Sequence, residues 1–230
     1  TTGLNQRDEE VMTFIRWVLM NKRDPETKLG IDEAPATPES VDSSALHVPN
    51  ELNLANFDPT ITGGRWYWED YEPGERIHHI EGVAVEEAEH QMAARLYQNT
   101  ARAHFNAHAL KDSRFGKRVI YGGHVISVAR ARSYNGLENV LRVLAFNAGT
   151  PSNPSFAGDT LFAWTDVIER IDLGRPDAAA LRLRLVATKN SDPNTEDQPF
   201  KVTDDNGRER YDPNVVLDLD YTVLIPKQSS

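Results

Sequence analysis

Apolar and polar residues alternate most regularly toward the end of the chain. Leu217, Leu219, Tyr221 and Val223 interleave with Asp218, Asp220 and Thr222, and Leu181, Leu183 and Leu185 interleave with Arg182 and Arg184. A period of two is that of a strand with one buried face. The pattern predicts half-buried antiparallel strands over 181–188 and 215–225, with two more over 141–146 and 160–171. Asp205-Asn206-Gly207 predicts a tight turn in the polar loop between the last two. Upstream, the aromatic stretch from Trp66 to Tyr71 leads into a Pro73-Gly74 turn and a strand from Ile77 to Val85. Two helices complete the pattern. One carries Glu86, Glu87 and Glu89 at its start, where the helix dipole favours acids, and runs to Tyr97. The other runs from His124 to about Tyr134, preceded by Gly122-Gly123 and followed by Gly136 as a stop. A sheet curled around one long helix, an α+β fold, is the expected architecture.

The first 63 residues read differently. Residues 10–20 are rich in β-branched and aromatic types with no cap at either end, so a strand is preferred. Val18-Leu19-Met20-Asn21-Lys22 is similar to Val223-Leu224-Ile225-Pro226-Lys227, which is either the trace of an internal duplication or a chance likeness of two apolar strands. Residues 24–63 hold five prolines and no apolar periodicity, the signature of a linker. A connection of that length points to a domain boundary. Three segments are expected: 1–23 as the last strand of an upstream domain, 24–63 as linker, and 64–230 as a folded domain.

Charge and composition narrow the function. A net charge of −10 disfavours nucleic acid and anionic lipid as partners. No apolar run reaches the roughly 20 residues of a membrane helix. With no cysteine there is no disulfide and no thiolate metal site, and the N-terminus lacks the regions of a signal peptide, so a cytoplasmic protein is expected. The cations are 18 Arg and 7 Lys beside 18 Asp and 17 Glu; a lysine-poor acidic surface suits either plain solubility or a high-salt cytoplasm.

The candidate chemistry is concentrated in Tyr97-Gln98-Asn99-Thr100-Ala101-Arg102-Ala103-His104-Phe105-Asn106. If the first helix stops near Tyr97, the chain can curl so that Asn99, Arg102, His104 and Asn106 face one cleft. His104 suits proton transfer, because an ordinary imidazole pKa of about 6.5 permits both giving and taking a proton near neutrality. Asn99 cannot be a base; its amide either orients a water or caps the helix. Arg102 either pairs with a carboxylate or is a surface cation. Gly122 and Gly123 either present amides to an anionic oxygen at a helix N-terminus or permit tight packing. His124 is open between capping, ligation and substrate contact. His78-His79, or His104 with His108, form a rival metal-binding reading, but no Glu follows in the usual zinc pattern.

The stretch 99–106 is similar to the Asp-x-Asn-Pro-x-His-x-Asp/Asn motif of the MaoC-like, R-specific enoyl-CoA hydratases. His104 and Asn106 match, whereas Asn99 stands for the motif's Asp and Arg102 for its Pro. Tyr121-Gly122-Gly123-His124 and Asn153-Pro154-Ser155-Phe156-Ala157-Gly158-Asp159-Thr160 extend the resemblance over nearly the whole chain. It implies a hot-dog fold whose N-terminal strand belongs to a second hot-dog unit, supplied by the same or another polypeptide, in a homo-oligomer. It also implies a hydro-lyase that adds water to a branched C5-dicarboxyl enoyl-CoA, mesaconyl-C1-CoA giving β-methylmalyl-CoA, without metal or redox cofactor. By that resemblance His104 and Asn99 are catalytic, and Tyr97, Arg102, Asn106, Gly122, Gly123 and His124 bind substrate. A CoA-binding support domain and a CoA thioesterase are the alternative functions.

Overall fold

The computed structural model describes residues 1–17, 22–28, 30, 36–195 and 197–228. Two compact units divide at Thr37 and Pro38.

The first unit is a small antiparallel hairpin of β1 (Thr2–Leu4) and β2 (Glu10–Thr13). The expected strand over 10–20 is therefore short: Phe14 still exchanges two backbone bonds with Thr1, residues 15–17 are not in the ladder, and Val18 to Asn21, which carry most of the suggested duplication, lie outside the described residues. Val11, Met12, Ile15 and Trp17 are all exposed.

The second unit holds a five-stranded antiparallel sheet in the order β3-β5-β6-β9-β4, comprising β3 (Arg76–Ala84), β4 (Arg142–Thr150), β5 (Thr160–Ile171), β6 (Ala178–Lys189) and β9 (Val215–Pro226). The helix α3 (Gly122–Arg132) packs on β3, β5, β6 and β9. Val125, Val128 and Ala129 of α3 meet Leu181, Leu183, Leu185, Leu217, Leu219, Tyr221 and Val223 in one buried core. Alternation in β6 and β9 thus sets which side chains reach the helix. This is the hot-dog arrangement, a sheet wrapped on a central helix. The structure starts α3 two residues earlier than the pattern suggests, because both glycines take up its first turn.

The other face of the sheet is not simply solvated. Arg182 pairs with Asp220 at 2.7 Å and Arg184 with Asp218 at 3.1 Å, each bond running diagonally across β6 and β9. Asn147 on β4 also donates to Asp220 at 2.8 Å. Trp164, Val186 and Val215 form a second buried cluster against Phe200 and Tyr211, which flank and end the hairpin of β7 (Lys201–Thr203) and β8 (Glu209–Tyr211). The predicted turn at 205–207 closes this hairpin, but its two short strands were not visible as a pattern.

Residues 38–63, expected as part of a linker, lie within the second unit and are tied to the sheet and its loops. The Val41 N–H donates to Asn147 Oδ1 at 3.0 Å, the Leu54 N–H to Asp177 Oδ2 at 2.8 Å, and the Thr62 hydroxyl to Asn139 Oδ1 at 2.5 Å. Among the described residues no helix is long and apolar enough to cross a membrane.

Candidate functional site

The helix α1 (Glu87–Leu96) ends in a turn that sets up the site. Gln98 takes the left-handed conformation, φ 51°, while its N–H donates to Arg95 O at 3.1 Å and the Asn99 N–H donates to Ala94 O at 2.9 Å. This double bond satisfies the last carbonyls of the helix and turns the chain sharply. The Asn99 side chain then accepts the Ala101 N–H at 2.9 Å, closing a second turn that leads into the single turn of helix α2 (Arg102–Phe105).

On α2, His104 is held rather than free. Its Nδ1 lies 2.9 Å from Val119 O, and the Val119 N–H returns a bond to Ala103 O at 3.1 Å. A carbonyl only accepts, so Nδ1 carries the proton of the neutral ring and Nε2 keeps its lone pair. That is the tautomer of a general base.

The side chains around His104 are mostly not those expected. Its ring centroid lies 6.5 Å from that of His90 and 5.9 Å from that of Tyr121, and His90 lies 5.8 Å from His124. His90 is buried on the inward face of α1 and accepts the Tyr121 N–H at Nε2, 3.0 Å away. Burial first, and then the neighbouring His124, Arg118 and His104, push its pKa down to about 4. It is therefore neutral at pH 7 and acts as an acceptor. Arg118, nearly buried, is held by Glu87 and Gln91 of α1. Nε2 of His124 is buried and lies 3.4 Å from Glu89 Oε1 without hydrogen-bond alignment.

Gly122 and Gly123 open α3 after Tyr121, whose side chain does not cap them. The two glycines differ. A Cβ at Gly122 would make ordinary contact with Pro151, 3.6 Å away, whereas a Cβ at Gly123 would meet the Tyr121 hydroxyl at 2.1 Å and its ring carbons at 2.3 and 2.4 Å. Residue 123 must lack a side chain for Tyr121 to fold over the helix start beside His104. Burial raises the Tyr121 pKa, with the charge of Tyr97 a further cause, so the exposed Tyr97 also stands near this group.

The structure therefore gathers His104, Gly122, Gly123, His124 and Tyr97, and adds His90 and Tyr121. It does not gather Asn99, Arg102 and Asn106 with them into the expected cleft. Asn99 lines a separate pocket of about 320 Å³ with Gln91, Ala94, Arg95, Gln98, Thr100 and Phe105. Asn106 accepts the Ala109 N–H at 3.0 Å, and Arg102 is exposed. The reason is local: α2 is one turn long, so His104 and Phe105 face different ways, and the two Asn side chains are used by turns. His108 falls beyond the end of α2, so it shares no helix face with His104, while His79 is buried and bonded at both ring nitrogens. Among the described residues no three His, Asp or Glu side chains form a ligand set. His90 was readable only as an inward position four before Ala94, and Tyr121 only as the residue before a glycine pair.

The sheet wrapped on α3 is the hot-dog fold, and the His104 cluster sits where that helix begins. No protein-family profile matches the chain. It is 48% identical over 229 residues to a protein of Chloroflexus aurantiacus named beta-methylmalyl-CoA dehydratase, covering 99% of this chain and 63% of that protein. It is 45% identical over 227 residues to a protein of Cereibacter sphaeroides named mesaconyl-CoA hydratase, again covering 99% of this chain and 63% of the relative. The chain thus spans less than two thirds of the length of the curated relatives it matches. Among solved structures, a MaoC domain protein dehydratase from Chloroflexus aurantiacus superposes with a TM-score of 0.89 at 48% identity, covering 99% of this chain and 63% of that one. A conserved hypothetical protein from Mycobacterium tuberculosis, described as a double hot-dog fold, gives 0.53 at 24% identity over 84% of this chain and 53% of that one, which supports the fold alone.

Proposed function

We propose that this chain carries a hydro-lyase site that adds water reversibly to mesaconyl-C1-CoA to give β-methylmalyl-CoA. The observation that carries the reading is His104, anchored through Nδ1 on Val119 O beside the uncapped start of α3. In the hydration direction Nε2 of His104 takes a proton from water as the hydroxide oxygen bonds to the β-carbon. The double-bond electrons move toward the thioester, whose oxygen gains negative charge and is held by the Gly122 and Gly123 amides at the helix N-terminus. The α-carbon then takes that proton back from Nε2 of His104, which restores the neutral ring and completes the addition of one water, and dehydration runs the same path backward. The Tyr121 side chain packs against Gly123 at the start of the helix, beside His104. The names and the 48% and 45% identities of the two curated relatives support the choice of substrate.

A second hot-dog unit, from this or another polypeptide, and assembly into a homo-oligomer belong to the same proposal. They are supported by the exposed apolar side chains of the β1–β2 hairpin and by β4, whose outer edge is unpaired among the described strands. A cytoplasmic setting is supported by the cysteine-free composition, and one rich in salt by the acidic, lysine-poor balance of charge. The test is incubation of the chain with mesaconyl-C1-CoA, following loss of the enoyl absorbance, gain of one water by mass, and free thiol. Water addition without thiol release is the expected result. Thiol release without a water adduct would replace the reading by a thioesterase, and CoA binding with neither reaction would replace it by a support domain.

A further inference from the structure

We propose that the surface built by Phe115, Lys117, Phe156 and Lys189 is the subsite for the phosphate groups of the CoA carrier; this rests on the acyl-CoA reading above. The chain has ten more acids than Lys and Arg, yet between Asn99 and Val119 the balance inverts: Arg102, Lys111, Arg114, Lys117 and Arg118 face only Asp112. Arg118 is taken up by Glu87. Among the described residues Arg114, Lys117 and Lys189 have no carboxylate partner within ion-pair distance. Where carboxylates are in excess, cations left without one are available to another anion.

Their placement is specific. Lys117 Nζ stands 4.2 Å and Lys189 Nζ 6.0 Å from the centroid of the same Phe156 ring, although the two lysines are far apart in sequence. Phe115 meets Phe156 edge-on at 5.3 Å and carries the Arg114 guanidinium 4.4 Å from its own centroid. Lys189 is fixed by donating to Pro154 O at 2.5 Å. Two ammonium groups held to one ring lie within about 10 Å of each other and repel, a cost that an anion placed between them turns into attraction. The rings keep the cations in place, since the negative face of an aromatic ring attracts a cation.

The patch adjoins the reactive site through the backbone. Lys117 is two residues before Val119, whose carbonyl holds His104, and the Ile120 N–H donates to the carbonyl of Ser155, the residue before Phe156, at 2.9 Å. A thioester held at His104, with its carrier leaving along residues 117–120, brings a chain of phosphates toward these ammonium groups. A CoA phosphate carries the charge that the rest of this acidic surface repels. Arg114, Lys117 and Lys189 thus provide the attraction that admits an anionic carrier to a protein of net charge −10.

Calorimetric titration of the full 230-residue chain with free CoA, 3′-dephospho-CoA and pantetheine tests this. The wild type should bind CoA more tightly than pantetheine, with the advantage shrinking as salt shortens the screening length. Lys117→Ala combined with Lys189→Ala should weaken CoA binding at least tenfold, about 1.4 kcal/mol, and leave pantetheine binding unchanged. Lys189→Arg, which keeps the charge and the bond to Pro154, should retain CoA binding. 3′-Dephospho-CoA assigns the loss to the diphosphate if it is weakened as much as CoA, and to the 3′-phosphate if it is not; either result supports the subsite. Equal CoA affinity in the wild type and the double variant, or equal weakening of pantetheine, overturns the proposal while turnover of mesaconyl-C1-CoA leaves the hydratase reading standing. Absence of both CoA binding and turnover in the wild type removes the two together.

Discussion

Acid should destabilise this fold in a defined window, because the core contains a histidine that cannot accept a second proton cheaply. His79 on β3 is 1% exposed. Its Nδ1 lies 3.1 Å from Asn135 O and its Nε2 2.7 Å from the Thr165 hydroxyl, so the neutral ring donates to the first and accepts from the second. Burial lowers its pKa from 6.5 to about 4; the carbonyl of Asn135 opposes the shift, and the charges of Arg130 and Arg132 add to it. Between pH 6.5 and 4 the unfolded chain therefore binds a proton that the folded protein refuses. Stability is full above about pH 6.5, falls as pH drops through the window, and levels off below about 4 as far as this group is concerned. At about 1.4 kcal/mol per pH unit the loss is on the order of 3 kcal/mol, or a fall of about 6–12 °C in Tm for a chain of this size. His90, with its pKa also near 4, adds to the loss in the same window. The assay is Tm by circular dichroism from pH 7.5 to 4 for the wild type and His79→Gln. The variant should be less stable at pH 7.5, having lost part of a buried hydrogen-bond pair, and should lose less Tm on acidification. Parallel curves for the two proteins would refute the argument that His79 is the group refusing the proton.

The other predictions concern the site. Gly123→Ala should displace Tyr121 from the helix start, because the new Cβ would stand 2.1 Å from its hydroxyl; kcat for hydration should fall at least tenfold with Tm changed by only a few degrees, and unchanged turnover would show that the Tyr121 position is irrelevant. Gly122→Ala, with only an ordinary contact to Pro151, should cost far less in the same assay. Asn99→Asp keeps the turn, since a carboxylate also accepts the Ala101 N–H, so any kinetic change reports charge. Because Asn99 lines a pocket apart from the His104 cluster, we expect kcat/KM to change little, and equally, for the dicarboxylic thioester and for crotonyl-CoA. A fall for the dicarboxylic thioester alone would contradict that placement and put residue 99 beside the substrate's carboxylate.

The strands were legible because the sheet's two faces differ in chemistry. Leu181, Leu183 and Leu185 meet α3 while Arg182 and Arg184 meet Asp220 and Asp218, so polarity alternates even where both faces are covered. The β5 boundaries at Thr160 and Ile171 coincide with those expected, and β9 extends only one residue beyond its apolar run. Residues 38–63 were not legible, because they are held by single backbone and side-chain bonds that leave no periodicity. In the site, His104 stood out by its motif. Its partners His90 and Tyr121 did not, since one is an inward helix residue and the other reaches the His104 ring from a distant point of the chain, just before α3. Asn99 and Asn106 shared the motif with His104, but the left-handed Gln98 and the single turn of α2 decide where each side chain points, and spacing alone does not show them.

The most direct measurement is the turnover of mesaconyl-C1-CoA by His104→Ala beside the wild type. The account predicts a fall in kcat of at least about a hundredfold, as for loss of a general base, with KM little changed; turnover near that of the wild type would contradict it.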